Sequence, residues 1–202
     1  MTTRTPRWIA LFLGLVLALA PLVASAEQVG TIAALEPAPE IDRGGEQIPA
    51  TLGAAVQIGD TLRTGPTGRL RVVLRDESVV NLAGLTQLVI SEQMFGPEEG
   101  TFSSVLGVVS GKVRAMVSEY YSNPGASFQV ETRTGVAGVR GTDFVIVYDE
   151  QKQVTEVVGV SGRIAVSSPM AMAGNSVLVT EREMTSVALG KLPTAPIPLG
   201  DL

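Results

Sequence analysis

The chain has no cysteine and no histidine, and only one tryptophan among its 202 residues. Without cysteine there can be no disulfide, no thiolate nucleophile and no thiolate metal ligand. Without histidine the commonest general base and the usual partner in a zinc site are missing, and no imidazole is present to activate a serine. Stability must then come from packing and from the backbone hydrogen-bond ladder. Long apolar runs are scarce as well. Only Ile9 to Ala20 is unbroken, about 12 residues, whereas a membrane-spanning helix needs about 20. Every later apolar run is short and interrupted by glycine or charge.

The first residues point to a compartment. Arg4 and Arg7 form a short basic start, Ile9 to Ala20 is the apolar run, Pro21 ends it, and Ala24-Ser25-Ala26 supplies a small-x-small cleavage pattern. This is the layout of a secretory signal peptide over residues 1–26, cut before Glu27. No cysteine follows the small residues, so a lipid-modified N-terminus is not expected. The mature product, about 176 residues long, is expected to be periplasmic, with no stable membrane insertion after cleavage. The leader holds two of the 15 basic residues and none of the 20 acidic ones, which leaves a mature balance of about −7. A surface that acidic repels nucleic acid, because phosphate binding requires clustered Lys and Arg.

The body reads as strand after strand, and no helix of three turns is evident after the leader. Arg69 to Arg75 alternates basic and apolar residues, and after Asp76-Glu77 the run Ser78 to Leu82 resumes, as in a hairpin. Glu77 is a poor residue for a tight primed turn, so a longer or bulged connection is expected. Further strands are expected at Val29 to Leu35, Gln87 to Ser91, Val105 to Val109, Lys112 to Ser118, Val154 to Val160, Arg163 to Ser167, Ser176 to Thr180 and Thr185 to Leu189. Phe95 to Gly100 and Tyr120 to Gly125 carry Gly, Pro and Asn and read as loops.

The stretch FQVETRTGVAGVRGTDFVIVY, Phe128 to Tyr148, is the most informative. Phe128, Val130 and Thr132 alternate with polar residues, as on a strand with one buried face. Phe144 to Tyr148 is nearly continuous apolar sequence, which predicts a strand covered on both faces. Between them Gly135, Gly138 and Gly141 allow positive φ or close backbone approach, suited to stacked turns or bulges. A looser cassette places Gly before a basic outward and an apolar inward residue at Gly68-Arg69-Leu70, Gly111-Lys112-Val113 and Gly162-Arg163-Ile164. Its uneven spacing fits layers of an irregular β-solenoid, and equally fits glycine opening strands in any β-rich chain. The fold class is therefore all-β: one solenoid- or sandwich-like domain of many short strands over residues 27–190. Residues 191–202 form a Pro-rich tail or surface strap.

Three stretches together resemble the FecR domain family. They are Leu52-Gly53 followed by Ile58-Gly59-Asp60-Thr61-Leu62-Arg63-Thr64-Gly65, then LRVVLRDESVVNLAGLTQLVI from Leu70, then FQVETRTGVAGVRGTDFVI from Phe128. Val139-Arg140-Gly141-Thr142 is the most specific piece, and the similarity runs from about Val29 to Val166. Glu77 stands where the family usually has Gly after Asp76. The resemblance implies an extracytoplasmic all-β domain in which Gly59, Asp60, Gly138, Arg140, Gly141, Thr142 and Asp143 form structural motifs. Family members named for iron-uptake signalling relay the occupancy of an outer-membrane transporter to a sigma factor. That relay is not expected to carry over intact, because only about seven residues precede the apolar run.

Individual residues suggest little chemistry. Arg140 and Asp143 lie three apart and could pair to fix a turn, or could face a partner or an anionic ligand. The three glycines lack the Lys-Ser/Thr of a phosphate loop and precede a strand. Asp60 beside Gly59 suits a turn closed through backbone contacts better than a cation site. Asp149 and Glu150 suit a solvated hairpin tip. Ser110 and Lys112 have the wrong spacing for a Ser-x-x-Lys dyad. Tyr120 and Tyr121 offer at most a minimal aromatic platform for glycans and otherwise anchor a loop on the core.

No catalytic, cofactor or metal residues are therefore expected, and the chain is read as a non-enzyme. The expected role is a periplasmic interaction or signal-sensing module that binds an extracytoplasmic protein or an envelope polymer. A carbohydrate-active hydrolase using two distant carboxylates, or a membrane-retained regulator of sigma-factor signalling, are the alternatives. Mass spectrometry of the exported protein is expected to give an N-terminus at Glu27. An intact precursor that remains membrane-bound would overturn the leader assignment and favour the retained regulator.

Overall fold

The computed structural model describes residues 27–37, 39–98, 100–170 and 175–201. The leader lies outside them. The strands are Gln28–Leu35 (β1), Glu40–Arg43 (β2), Glu46–Pro49 (β3), Ala55–Gln57 (β4), Thr61–Arg63 (β5), Leu70–Leu74 (β6), Val79–Leu82 (β7), Gln87–Gly96 (β8) and Thr101–Met116 (β9). They continue with Ser127–Glu131 (β10), Val136–Val139 (β11), Asp143–Asp149 (β12), Val154–Ser161 (β13), Ile164–Ser167 (β14), Ser176–Val179 (β15), Glu183–Ala188 (β16) and Ile197–Pro198 (β17).

Among the described residues these 17 strands form one continuous sheet that is folded into two leaves. One leaf runs β4-β1-β6-β7-β9-β12-β13-β16-β17. The other runs β3-β2-β5-β8-β9-β10-β11-β14-β15. All pairings are antiparallel except β9 with β10. Alternate residues of the strands turn inward, and the buried side chains of both leaves belong to one cluster that includes Leu62, Leu88, Phe128, Phe144, Ile146 and Val166. This is the sandwich form of the expected all-β domain. Each such aliphatic or aromatic side chain contributes roughly 1.5–3 kcal/mol on burial, which is how a chain without disulfides holds together.

The leaves meet in β9. Ser110 still pairs with Gln87 in the second leaf, whereas Gly111 pairs with Tyr148 in the first. At Gly111 φ is +92°, and a Cβ there would lie 2.6 Å from Leu85 O and from Thr86 Cα. The two strands expected over Val105–Val109 and Lys112–Ser118 are thus one strand, bent at a glycine that no larger residue could replace.

Other differences have local causes. Val136–Val139 is a strand, not a turn, and of Gly135, Gly138 and Gly141 only Gly141 has positive φ, at +60°. β2 and β3 form a hairpin that the sequence reading missed. Its two-residue loop, Gly44-Gly45, takes φ +62° and +90°, the conformation of a primed turn. In β12 Phe144, Ile146 and Tyr148 are buried, but Val145 and Val147 on the outer face are only half-buried. The expectation that this strand is covered on both faces fails because no third layer lies outside the first leaf among the described residues. β8 runs on to Gly96, into the expected loop, and Glu119–Ser122 in the Tyr120 to Gly125 stretch forms one turn of 3-10 helix. Beyond Lys191 the chain returns along the first leaf, where Ile197 pairs with Met184 and Thr194 N donates to Ser186 O at 2.9 Å.

The β6–β7 connection is bulged. Glu77 N donates to Leu74 O at 3.0 Å, Leu74 N donates to Ser78 O at 2.9 Å, and Glu77 takes φ +67°. A left-handed L-residue costs about 1–2 kcal/mol, while glycine gives back about 0.4–1 kcal/mol through the unfolded chain. Glu77→Gly is therefore expected to raise the unfolding free energy by about 0.5–1 kcal/mol, read as a higher urea midpoint. A lower midpoint would show that the Glu77 side chain contributes more than its backbone strain costs.

Candidate functional site

The acids of the interior are committed to the fold. Asp60 follows Gly59, whose φ is +88° and whose N–H donates to Ile90 O at 2.8 Å. Its buried carboxylate accepts from Gln57 N, Arg43 Nε and Arg43 Nη2, each at 2.8 Å, and Arg43 Nη2 also donates to Ala55 O at 2.9 Å. The hydrogen bonds and charge of Asp60 raise the Arg43 pKa above its usual value. A carboxylate held by a bidentate guanidinium and a backbone N–H has its oxygens occupied, so Asp60 is a turn anchor. Among the described residues no group of three or more Asp and Glu side chains is placed to hold a metal ion.

A second carboxylate, Asp76, is also buried, and the sequence marks it only as a turn residue. Oδ1 accepts from Ser78 N at 2.8 Å, an Asx turn. Oδ2 accepts from Gln93 Nε2 at 2.9 Å and from Tyr121 Oη. Tyr121 Oη also lies 2.8 Å from Ser104 Oγ. Burial, reinforced by the hydrogen bond to Asp76, pushes the Tyr121 pKa above its ordinary value. Tyr121 is thus a core anchor. Tyr120 stacks on Phe102 with ring centres 5.2 Å apart and meets Phe95 edge-on at 5.5 Å. The two tyrosines do not share one surface, which removes the glycan platform.

The stretch Gly138 to Asp143 divides between inside and outside. Gly141 sits against the 3-10 helix: a Cβ there would lie 2.9 Å from Glu119 Oε2 and from Ser122 Oγ. Thr142 is buried, and its carbonyl accepts from Val117 N at 2.8 Å. Asp143 pairs with Arg114 of β9, Nε to Oδ1 at 2.9 Å and Nη2 to Oδ2 at 2.6 Å. The hydrogen bonds of Asp143 raise the Arg114 pKa above its usual value. The Arg140–Asp143 pair considered from the sequence does not form, because Asp143 opens β12 opposite Met116, beside Arg114. At the hairpin tip Asp149 accepts from Lys152 N at 3.0 Å, which holds its pKa below the usual carboxylate range.

Arg140 remains outside. It is exposed and lines a groove of about 630 Å³ on the outer face of the second leaf, with Gln129, Gly138, Arg163, Ala165 and Leu178. The floor is low because Gly138 and Ala165 face each other across β11 and β14. Pairing of Val139 with Ile164 sets Arg140 beside Arg163, each just past its strand. Neither makes an ion pair among the described residues, where the basic partners of carboxylates are Arg43, Arg63, Arg69, Arg75, Arg114 and Lys152. Glu119 is the one acid lining the groove, and its carboxylate accepts from Ser122 Oγ at 3.1 Å. Arg163 was legible only as the outward residue of the Gly-basic-apolar cassette. The groove itself had no sequence signal.

The family model described as FecR protein matches residues 60–165. No curated protein matches the chain. Two crystal structures of a candidate anti-sigma factor from Parabacteroides distasonis ATCC 8503 share the fold. Each has a TM-score of 0.55 at 17% identity, over 68% of this chain and 59% of that one. The chain thus spans less than two thirds of the length of those proteins.

Gly141→Val combines a β-branched side chain at positive φ with overlap on the 3-10 helix and is expected to cost about 3 kcal/mol of stability. Gly138→Ala, with Ala165 O 3.8 Å from the new Cβ and an unstrained φ, is expected to stay within about 0.5 kcal/mol. Equal melting temperatures for the two variants would show that the motif turn is built differently.

Proposed function

The chain belongs to the FecR protein family, and from that premise we propose that it is a periplasmic, non-catalytic signal-sensing module that binds a protein partner or an envelope polymer. The observation that carries this reading is how the motif is divided. Gly141, Thr142 and Asp143 hold the loop in place, while Arg140 beside them is exposed in a groove with Arg163, and neither arginine makes an ion pair among the described residues. Guanidinium groups on a rigid sheet face are suited to recognising carboxylate or phosphate groups of a partner. The basic start, apolar run and small-x-small site of residues 1–26 support export. The likeness to a candidate anti-sigma factor supports a regulatory setting. The interior carboxylates Asp60 and Asp76 are buried and hydrogen-bonded, which leaves neither free as an acid or base.

Chemical crosslinking of the mature protein in its own envelope, followed by mass spectrometry, tests the proposal. A specific adduct, or saturable binding to peptidoglycan or an envelope polysaccharide, is the expected result. The absence of both would overturn it. Turnover of an envelope glycan that a single Asp or Glu substitution abolishes would establish the hydrolase instead.

A further inference from the structure

Arg140 and Arg163 carry like charges on one face of the sheet. Val139, just before the first, and Ile164, just after the second, are buried and pair with each other, so strand alternation turns both arginines outward. The two chains stay side by side beyond them, since a Cβ on Gly162 would lie 3.4 Å from Gly141 O. Neighbouring strands lie about 4.8 Å apart, and like charges set opposite one another across that gap destabilise a sheet. No carboxylate relieves the pair. Neither arginine makes an ion pair among the described residues. Glu119 lines the groove, but its carboxylate accepts from Ser122 Oγ at 3.1 Å. Glu183 accepts from Thr180 N and Thr180 Oγ1, each at 2.8 Å, and does not line the groove. A bound anion would turn this repulsion into attraction.

We propose that this arginine pair binds the phosphate of a sugar phosphate monoester, with the sugar ring lying on the floor of Gly138 and Ala165. The inference rests on the reading of the chain as a binding module and names the chemistry of its ligand. Charge selects the phosphate. A phosphate monoester carries about −1.5 to −2 at neutral pH, which matches two guanidiniums, whereas a carboxylate leaves one of them uncompensated. The mature chain as a whole, at about −7, repels an extended polyanion, so a compact dianion is favoured over a multiply charged chain. The floor selects the rest of the ligand. Two residues along the strands from the arginines, a distance of about 6.7 Å, Gln129, Gly138, Ala165 and Leu178 form the next outward row. A Cβ on Gly138 would have only Ala165 O within 4 Å, at 3.8 Å, so the floor is open above. An amide at one end and a leucine at the other suit a ring with hydroxyls on its rim and C–H groups on its face. β10, β11 and β14 are each paired on both sides, so an extended peptide finds no free backbone groups there. The one aromatic lining the groove, Phe128, is buried, which leaves a nucleobase nothing to stack on.

The test follows amide chemical shifts of the mature protein, at constant ionic strength, with glucose-6-phosphate, glucose-6-sulfate, inorganic phosphate and an end-blocked phosphoserine peptide. Glucose-6-phosphate is expected to give saturable shifts at Gly138, Arg140, Arg163 and Ala165 and to bind more tightly than the other three. Arg140→Gln and Arg163→Gln should each bind it about tenfold more weakly, as loss of a charge-assisted hydrogen bond predicts. Without ligand, each variant should melt no lower than the parent protein, because the repulsion is gone. Gly138→Leu, which fills the floor and keeps both arginines, should bind glucose-6-phosphate no better than inorganic phosphate. Absence of saturable shifts, shifts elsewhere, undiminished binding by the arginine variants or a lower melting temperature in both of them would each overturn the proposal. Equal binding of the sulfate would remove the charge match. Equal binding of inorganic phosphate, or undiminished binding by Gly138→Leu, would remove the sugar seat, and tighter binding of the phosphoserine peptide would make the occupant a phosphoprotein; each of these also overturns it. If crosslinking recovers a partner while glucose-6-phosphate fails to bind, the sensing role stands and the groove inference falls.

Discussion

A carboxylate without solvent exposure, Asp76, sets conditions that much of the structure meets. Burying such a group costs several kcal/mol unless hydrogen bonds replace its hydration. Here the replacements come from three separate places: Ser78 N in the β6–β7 turn, Gln93 on β8 of the other leaf, and Tyr121 on the 3-10 helix. Meeting that demand pins the hairpin to the facing leaf and draws the helix down on the core. Glu119 and Ser122 of that helix are the atoms that Gly141 must clear. The position of the motif loop, and of Arg140 beside it, therefore follows from a hydrogen-bond requirement on the other side of the sandwich.

β9 supplies the second constraint. It belongs to both leaves, and its bend at Gly111 converts one long ladder into two facing layers. A smaller polar cluster assists at the far end. Thr155 of the first leaf lies 2.5 Å and 2.6 Å, oxygen to oxygen, from Thr132 and Thr134 beside the second. These hydroxyls satisfy one another across the two leaves. Interior polar links of this kind fix the register of the leaves, while the apolar cluster supplies most of the stabilisation.

The chemistry left at the surface is set by what the interior consumes. Asp60 is occupied by Arg43 and Asp143 by Arg114, so the acids of the family-like motifs act as struts. Against an acidic background, Arg140 and Arg163 stand together over a floor of Gly138 and Ala165. Rigid strands hold this arrangement in place, which suits recognition of a partner more than turnover of a substrate.

Period-two alternation of apolar residues is a local property, so strands such as β1, β6, β10 and β13 could be read from the residues. The motif residues around Gly59 and Gly141 could be read too, as could the inward and outward sides of the Gly-basic-apolar cassettes. The adjacent Gly44-Gly45 of the β2–β3 turn is a local signal as well. Other features depend on which distant segments meet. Tyr121 reaches Asp76 across 45 residues, Arg114 reaches Asp143 across 29 and Gln93 reaches Asp76 across 17, and no spacing rule links them. The sequence by itself determined an all-β chain with no thiol or imidazole chemistry, because composition and alternation act residue by residue. Only the tertiary structure decided that Arg140 is left without Asp143 and stands beside Arg163, because register across a sheet is settled by the packing of both leaves at once.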